Sequence, residues 1–536
     1  MWPEIRKFAS ELPLVGPALR SAYRKAHGLP DVGGAQSDAP DFRYHSWIER
    51  RARERAGDYP APTENAPRFD ILTLVFNTDP EVLRKTAASV FAQDYTNFRW
   101  VIWDNGSSNA ETRAALAEIA KDARVKFHRS EQNLGITTGH LKALELCDAE
   151  YIALLDHDDL LYPDALRINA WHIVNFNRPD FLYSDEDKCD MQDRRYWPYF
   201  KPDFSPALLL DTGYTCHLSV VKRETMLACG AFTDPSVEGA QDWDMALRVQ
   251  EFLKLNYKDR IVHIPEILYT WRGVPESTAV RGVEAKPHVI AAQKRCVESA
   301  LERRGSQKLT VAPSSLFPDA DGHWRICREE KIVQSEIDAE AEFCFSLFPD
   351  AAIVVGRSVD GAGRVVGGPA FWGSEGALAV RGAGSYATDR DFFCMNQMHC
   401  NVATFLNAPF RARPDIVDQK NLREYPTLWM ADLCARLLRA GRQIIYSPFI
   451  VESGESAPVS SDDELLRFIR AHHDLIRDDP FYSPFCSLKS ESLYSIVEPA
   501  ERAAVLNPLF EKAGVPLVPT ERYELGRYAR LRRKNP

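Results

Sequence analysis

Nowhere in the 536 residues does an apolar run reach the roughly 18 residues that a bilayer-spanning helix needs. A conventional transmembrane helix is therefore excluded, although 45% of the chain is hydrophobic. Basic charge is also short. Lys and Arg number 66 against 76 Asp and Glu, a formal net charge of -10, which argues against nucleic acid as the main partner. The 11 cysteines are odd in number, scattered and without a CxxC pair, which suits reduced thiols in cytoplasm better than a disulfide framework or a zinc site. The opening Met1-Trp-Pro-Glu-Ile-Arg-Lys-Phe8 lacks the apolar core of a secretory signal. A chain of this length holds two or three domains with full cores.

What is present is concentrated in residues 151–167. Tyr151-Ile-Ala-Leu-Leu155 reads as a buried strand of a parallel sheet, and it ends abruptly in Asp156, His157, Asp158 and Asp159. Open α/β sheets place ligands at the carboxyl ends of such strands. Clustered carboxylates there suit a hard divalent cation and the phosphate oxygens that accompany it. An acidic turn capping the helix begun by Pro163 and Asp164 would leave the same pattern. Upstream, residues 69–76, 98–103 and 124–128 read as further strands. They are followed by Asn77-Thr-Asp-Pro80, Asp104-Asn-Gly-Ser-Ser108 and Asn133-Leu-Gly135, each leading into a helical stretch. Strands alternating with helices specify a parallel sheet with right-handed crossovers, so the polar turns share one sheet edge.

That order of motifs resembles the family 2 glycosyltransferases, which carry the GT-A nucleotide-diphospho-sugar transferase fold, α/β with a central, mainly parallel sheet. The likeness continues in Tyr183-Ser-Asp-Glu-Asp187, Phe200-Lys-Pro-Asp-Phe-Ser-Pro206, Gly239-Ala-Gln-Asp-Trp-Asp244 and Ile264-Pro-Glu-Ile-Leu-Tyr-Thr-Trp-Arg272. It covers residues 68–305 and is closest in character to bacterial members that build O-antigen-type surface polysaccharides. The resemblance implies a nucleotide-sugar donor, a glycan or lipid-linked glycan acceptor, and Mg²⁺ or Mn²⁺ as cofactor.

Carried over position by position, the resemblance implies that Asp104 contacts the nucleobase, with Asn77, Asn133 and Gly135 lining the donor pocket. Asp104 and Asn105 would equally stabilise an Asx-turn. Asp156 is expected near the ribose and diphosphate, and Asp158 on the metal. Asp159 and Asp185 are supporting carboxylates, Asp159 doubling as a helix cap. Asp242 is the expected general base of an inverting transfer, a contribution of about 10²- to 10⁴-fold. Gln241 stands where the family has Glu, and Asp244 reads as a dipole-favoured helix residue. His140 is a candidate phosphate contact where the pattern has Asn. Trp271 and Arg272 open a loop, residues 270–278, expected to close over the diphosphate. Many relatives carry a His near this loop, where this chain has Thr270 and Val274, so no metal-binding His is assigned there.

Residues 1–67 read as a helical segment with linkers. Residues 2–27 are patterned either to lie on an anionic membrane surface or to pack on the protein itself. Residues 306–500 resemble the later half of a second GT-A domain, with Asp432 at the base position but no Asp-x-Asp, and are expected to be a degenerate partial copy. Residues 501–536 form a helical basic tail. The site is expected in the cytoplasm, with peripheral attachment at the inner membrane face left open. Two other classes compete. A sugar nucleotidyltransferase needs a Gly-rich loop after the first strand, and Phe76-Asn-Thr-Asp-Pro80 has no Gly. A non-catalytic glycan-binding scaffold would have no need of both Asp158 and Asp242.

Overall fold

The computed structural model describes residues 42–273, 287–306, 308–317, 322–328, 337–389, 392–414, 416, 424–456 and 460–523. The segments expected at residues 2–27 and 30–41, the loop from 274 to 278 and the basic stretch 527–534 lie outside the described residues. The chain divides into two compact units, residues 42–334 and residues 335–533 for the most part. The division falls later than residue 306 because the hairpin β10 (Leu309–Pro313) and β11 (Trp324–Arg328) stays with the first unit.

The first unit opens with helix α1 (Phe42–Glu54) and strand β1 (Phe69–Val75), then α2 (Pro80–Phe91), β2 (Phe98–Asp104), α3 (Ala110–Ile119), β3 (Val125–Arg129), α4 (Ile136–Leu146) and β4 (Tyr151–Leu154). It continues with β5 (Leu160–Leu161), α5 (Ala165–Asn175), β6 (Phe181–Cys189), β7 (Arg195–Tyr199), α6 (Pro206–Asp211), β8 (Ser219–Lys222), α7 (Arg223–Cys229), α8 (Gln241–Leu253), β9 (Ile261–Arg272) and α9 (Pro287–Arg303). The sheet runs β3-β2-β1-β4-β8-β6-β9-β5, with β7 beside β6. Pairs β1–β2, β2–β3, β1–β4 and β6–β9 are parallel, and β8 is antiparallel to both β4 and β6. Every residue of β1 is buried, as a central strand covered on both faces requires. Its one charge, Asp70, is held by Arg99 at 3.0 Å and by the backbone N–H groups of Asp148 and Ala149.

Strands β4 and β5 are four places apart in the sheet, although only residues 155–159 join them. The acidic run therefore travels along the sheet edge past the ends of β8, β6 and β9 instead of turning back into a helix. The elements that flank the run are braced by the segment around α1, which the sequence placed outside the domain. Arg55 is fully buried and forks onto Asp164 at 2.8 and 2.7 Å while donating to Ile267 O at 2.8 Å. Arg51 pairs with Glu266, and Tyr44 donates to Asp187 at 2.6 Å. These contacts fasten α1 to β9, to β6 and to the start of α5.

The second unit contains α10 (Ile337–Leu347), β12 (Ala351–Val359), β13 (Val365–Trp372), β14 (Leu378–Val380), β15 (Cys400–Asn401), β16 (Thr404–Leu406), β17 (Phe410–Ala412), α11 (Trp429–Arg439), β18 (Gln443–Ser453), α12 (Asp462–Arg477) and α13 (Pro499–Ala513). Its sheet runs β14-β13-β12-β18-β15, and β12 and β18 pair in parallel. Asp432 is bound at 3.0 Å to both Arg436 and His472. Burial would raise its pKa, but His472 and Arg436 lower it, so this carboxylate stays ionised within an ion-pair cluster.

Removing one partner of a buried pair leaves an uncompensated charge and costs about 3–5 kcal/mol. Arg55→Met removes both short donors of Asp164, leaving it Arg167 at 3.5 Å, and takes the guanidinium from Ile267 O. It is expected to lower the melting temperature by roughly 6 °C or more. A variant that melts with the wild type would show that α1 does not brace the sheet.

Candidate active site

The carboxyl ends of β1 and β2 are joined by side chains before any ligand is considered. Asn77 Oδ1 accepts the backbone N–H groups of Ser108 and Asn109, each at 2.9 Å, so the turn after β1 is locked to the turn after β2. Asp104 is fully buried. One oxygen accepts Ser107 N–H, three residues on, at 2.9 Å, and the other accepts Arg129 Nε at 3.0 Å. Asn105, expected only as part of an Asx-turn, donates to Asn133 Oδ1 at 2.9 Å and Gly135 O at 3.0 Å, and it accepts Leu134 N–H at 3.1 Å. It is the bracket that holds the Asn-Leu-Gly loop against β2.

That loop ends at the first turn of α4, where Glu238 accepts the backbone N–H groups of Ile136 at 2.5 Å and Thr137 at 3.0 Å. A carboxylate there satisfies orphan donors and the helix dipole together. Gly135 has a φ of +83°, which favours glycine, and a Cβ on it would lie 2.9 Å from Glu238 Oε1 and push that carboxylate aside. One turn along α4, His140 bonds Ile136 O through Nδ1 at 2.9 Å and packs on Phe232.

The acidic run is organised by Asp159. Its carboxylate has no exposure, accepts Tyr269 O–H at 2.6 Å and Arg272 N–H at 2.7 Å, and so ties the run to β9. Burial, followed by the charges of Asp158 and Asp156, raises its pKa well above the ordinary carboxylate value. Arg272, expected to pair with phosphate, is itself buried, with Nε on Asp158 O at 3.0 Å and Nη1 on Asp193 at 2.5 Å. Its engaged groups tether the loop. Trp271 lies beside it, with the Lys188 ammonium 4.5 Å from its ring centre.

Among the described residues, the ligand-capable atoms that converge in this unit belong to Asp156, Asp159 and His217, all within 4.8 Å of one another. Asp158, expected as the metal ligand, is outside that group, with its Oδ1 3.6 Å from His157. His217 precedes β8. Because β8 runs antiparallel to β4, with Ala153 opposite Val220, its start comes level with the end of β4. That topological signal, a polar stretch entering an antiparallel neighbour of the acidic strand, is one the sequence alone did not reveal. Glu186 accepts His217 N–H at 2.9 Å and faces its Nδ1 at 3.2 Å, leaving Nε2 toward Asp156 at 3.9 Å. Burial works against an imidazolium at His217, and Cys216, Glu186 and Asp156 more than offset it, so its pKa is raised. Burial likewise opposes ionisation of Glu186, yet Lys201 and His217 bring it down to about 2.

Asp242 opens α8 on the same edge. Burial and the Asp156 charge raise its pKa, against the pull of His140 and His217. Gln241 accepts Gly239 N–H at 2.9 Å and donates to Asp242 Oδ2 at 3.4 Å. An amide can do both; a Glu would set a second negative charge beside Asp242 instead. Asp244 is committed to Arg248 at 2.6 Å and Arg303 at 3.1 Å. Asp185 does not join the site. It is buried on His263 at 2.8 Å and on Lys201 N–H at 2.8 Å.

Residues 70–212 match the family model for glycosyl transferase family 2. An uncharacterized protein of Sinorhizobium fredii, y4gI, is 36% identical over 250 residues, which are 46% of this chain and 27% of that one. The O-antigen biosynthesis protein RfbC of Myxococcus xanthus is 28% identical over 316 residues, 57% of this chain and 24% of its own length. The chain thus spans about a quarter of the length of these curated relatives. Among solved structures, residues 1–349 of S. aureus TarS with UDP-GlcNAc overlay with a TM-score of 0.33 at 17% identity, covering 45% of this chain and 73% of that one. The first unit has an α/β fold of the GT-A type. No helix among the described residues is long and apolar enough to cross a membrane.

Truncating Asn105 leaves the Leu134 N–H without its acceptor and Asn133 Oδ1 and Gly135 O without this donor, at a cost of about 1–3 kcal/mol. Asn105→Ala is expected to speed amide exchange at Leu134 and Gly135 while β1 amides keep their protection. Unchanged exchange in the loop would mean that another contact holds it.

Proposed function

Proceeding from a glycosyl transferase family 2 domain at residues 70–212, we propose that the chain moves a sugar from a nucleotide-sugar donor to a glycan or lipid-linked glycan acceptor, with inversion at the anomeric carbon. The observation that carries this reading is the meeting of Asp242 with Asp156, Asp159 and His217 on one sheet edge. The relative named for O-antigen biosynthesis supports surface polysaccharide as the product class.

The donor set fits a divalent cation. Two carboxylates and an imidazole converge, and Asp156, half exposed, leaves an open side for a ligand's oxygens. Glu186 on Nδ1 aims His217 Nε2, as a carboxylate behind a metal-binding histidine does. The charge imbalance that favours a proton on His217 is one a cation relieves. Asp156, Asp159 and His217 would hold Mg²⁺ or Mn²⁺, which when bound neutralises the charge of the departing nucleoside diphosphate.

The chain's own residues supply the remainder. Asp242 takes the proton of the acceptor hydroxyl as that oxygen attacks the anomeric carbon, and the bond to the diphosphate oxygen breaks. Its raised pKa makes it a stronger base than an ordinary carboxylate. Gln241 orients it without adding charge, and Asn105 and Asn77 hold the donor-side loops. Asp432, locked into its ion pairs, takes no part.

Release of nucleoside diphosphate from a panel of nucleotide sugars, with Mn²⁺ or with chelator, tests the reading. One donor is expected to turn over with the metal alone. Asp242→Asn should slow it about 10²-fold or more with donor affinity within about threefold, while Asp432→Ala leaves it nearly unchanged. Because the base works deprotonated, kcat/KM should fall toward acid with a limb above the usual 3.8. Donor binding lost along with turnover in Asp242→Asn, or a large loss in Asp432→Ala, would contradict the assignments.

A further inference from the structure

The second unit contains a cluster of a different chemical character. Glu340 and Cys344 lie one turn apart on α10, His399 immediately precedes β15, and Ser447 lies in β18. All four are buried, Cys344 and Ser447 with no exposure. Glu340 Oε1 is the hub. It accepts Ser447 O–H at 2.7 Å and lies 3.1 Å from His399 Nε2 and 3.8 Å from Cys344 Sγ. Ser447 Oγ and His399 Nε2 are 3.3 Å apart. Phe449 packs against the imidazole.

We propose that Glu340, Cys344 and His399 form a structural zinc site in the second unit. Bonds of about 2.0–2.3 Å arranged tetrahedrally place ligand atoms about 3.3–3.7 Å apart. The carboxylate-to-imidazole and carboxylate-to-sulfur separations bracket that edge, and the three ligand atoms lie within 4.8 Å of one another. The sulfur separation is at the far limit of a thiol hydrogen bond, yet it is the ordinary spacing of two ligands on one ion. A thiolate, an imidazole and a single carboxylate select a borderline-soft ion over Mg²⁺ or Ca²⁺. Burial of every ligand shuts the centre off from bulk water, and Ser447 Oγ, 2.7 Å from Glu340 Oε1 and 3.3 Å from His399 Nε2, lies within reach of the fourth tetrahedral position that the three ligands leave. Scattered cysteines conceal such a site from a motif search, because Cys344 is its only thiol. The His comes from 55 residues further on and the Ser from beyond a second helix. The proposal does not rest on the glycosyl transfer assigned to the first unit.

The full-length chain, purified without chelator and desalted, should hold about one zinc by inductively coupled plasma mass spectrometry. Cys344→Ser and His399→Gln should lose it, and Asp156→Asn, in the other unit, should keep it. If either of the first two variants fails to fold, the wild-type chain decides. Refolded with Co²⁺, it should show a near-ultraviolet thiolate-to-cobalt band, and a zinc chelator should lower its melting temperature. A folded wild-type chain that carries no zinc, takes none up and gives no thiolate band with Co²⁺ overturns the proposal. So does zinc that disappears with Asp156→Asn and remains with Cys344→Ser.

Discussion

The contact on which the site depends is the pair of hydrogen bonds that Asp159 accepts from Tyr269 and Arg272. A carboxylate without exposure is costly unless its oxygens are engaged, and these two donors, both from β9, engage them. The consequence is geometric. The link between β4 and β5 is drawn along the sheet edge, Arg272 closes the tie by bonding Asp158 O, and Asp156 is left facing outward. β9 is in turn held from behind by α1 and the residues after it, through Arg51 on Glu266 and Arg55 on Ile267 O. A helix that touches none of the acidic residues thus fixes where they stand.

Electrostatics on this edge are arranged as an imbalance. Burial and the charge of Asp156 raise the proton affinity of Asp159 and of Asp242, and the opposing charge comes from His217, joined by His140 at Asp242. Gln241 belongs to the same arrangement. Replacing a carboxylate with an amide beside Asp242 withholds a further negative charge where burial has already made ionisation expensive. Asp104 and Arg272, by contrast, spend their charges on partners within the protein, Arg129 and Asp193 respectively.

What could be read in the sequence was local. Strands β1 to β4 lie within a residue or two of where hydrophobic runs and turn residues put them, and the polar turns do share an edge. Asp156 stands out in the sequence as a charge at the end of a hydrophobic run, whereas Asp242 is singled out by the family resemblance alone. What could not be read were partners distant along the chain. Glu238 reaches Ile136 over 102 positions, and His217 meets Asp156 because an antiparallel strand was inserted beside β4. The family resemblance assigns the metal to Asp158. The run is not a strand there, and the tie at Asp159 decides which carboxylates turn inward. Asp185 read as functional by sitting in an acidic run, yet a position within β6 faces it to His263 and the interior.

The most direct test of this account is an anomalous-scattering map of the chain crystallised with Mn²⁺ and a nucleoside diphosphate. The account predicts one manganese peak bounded by Asp156, Asp159 and His217, with the diphosphate on the exposed side of Asp156. A peak held by Asp158 without His217, or a bound diphosphate with no manganese on this edge, would contradict it.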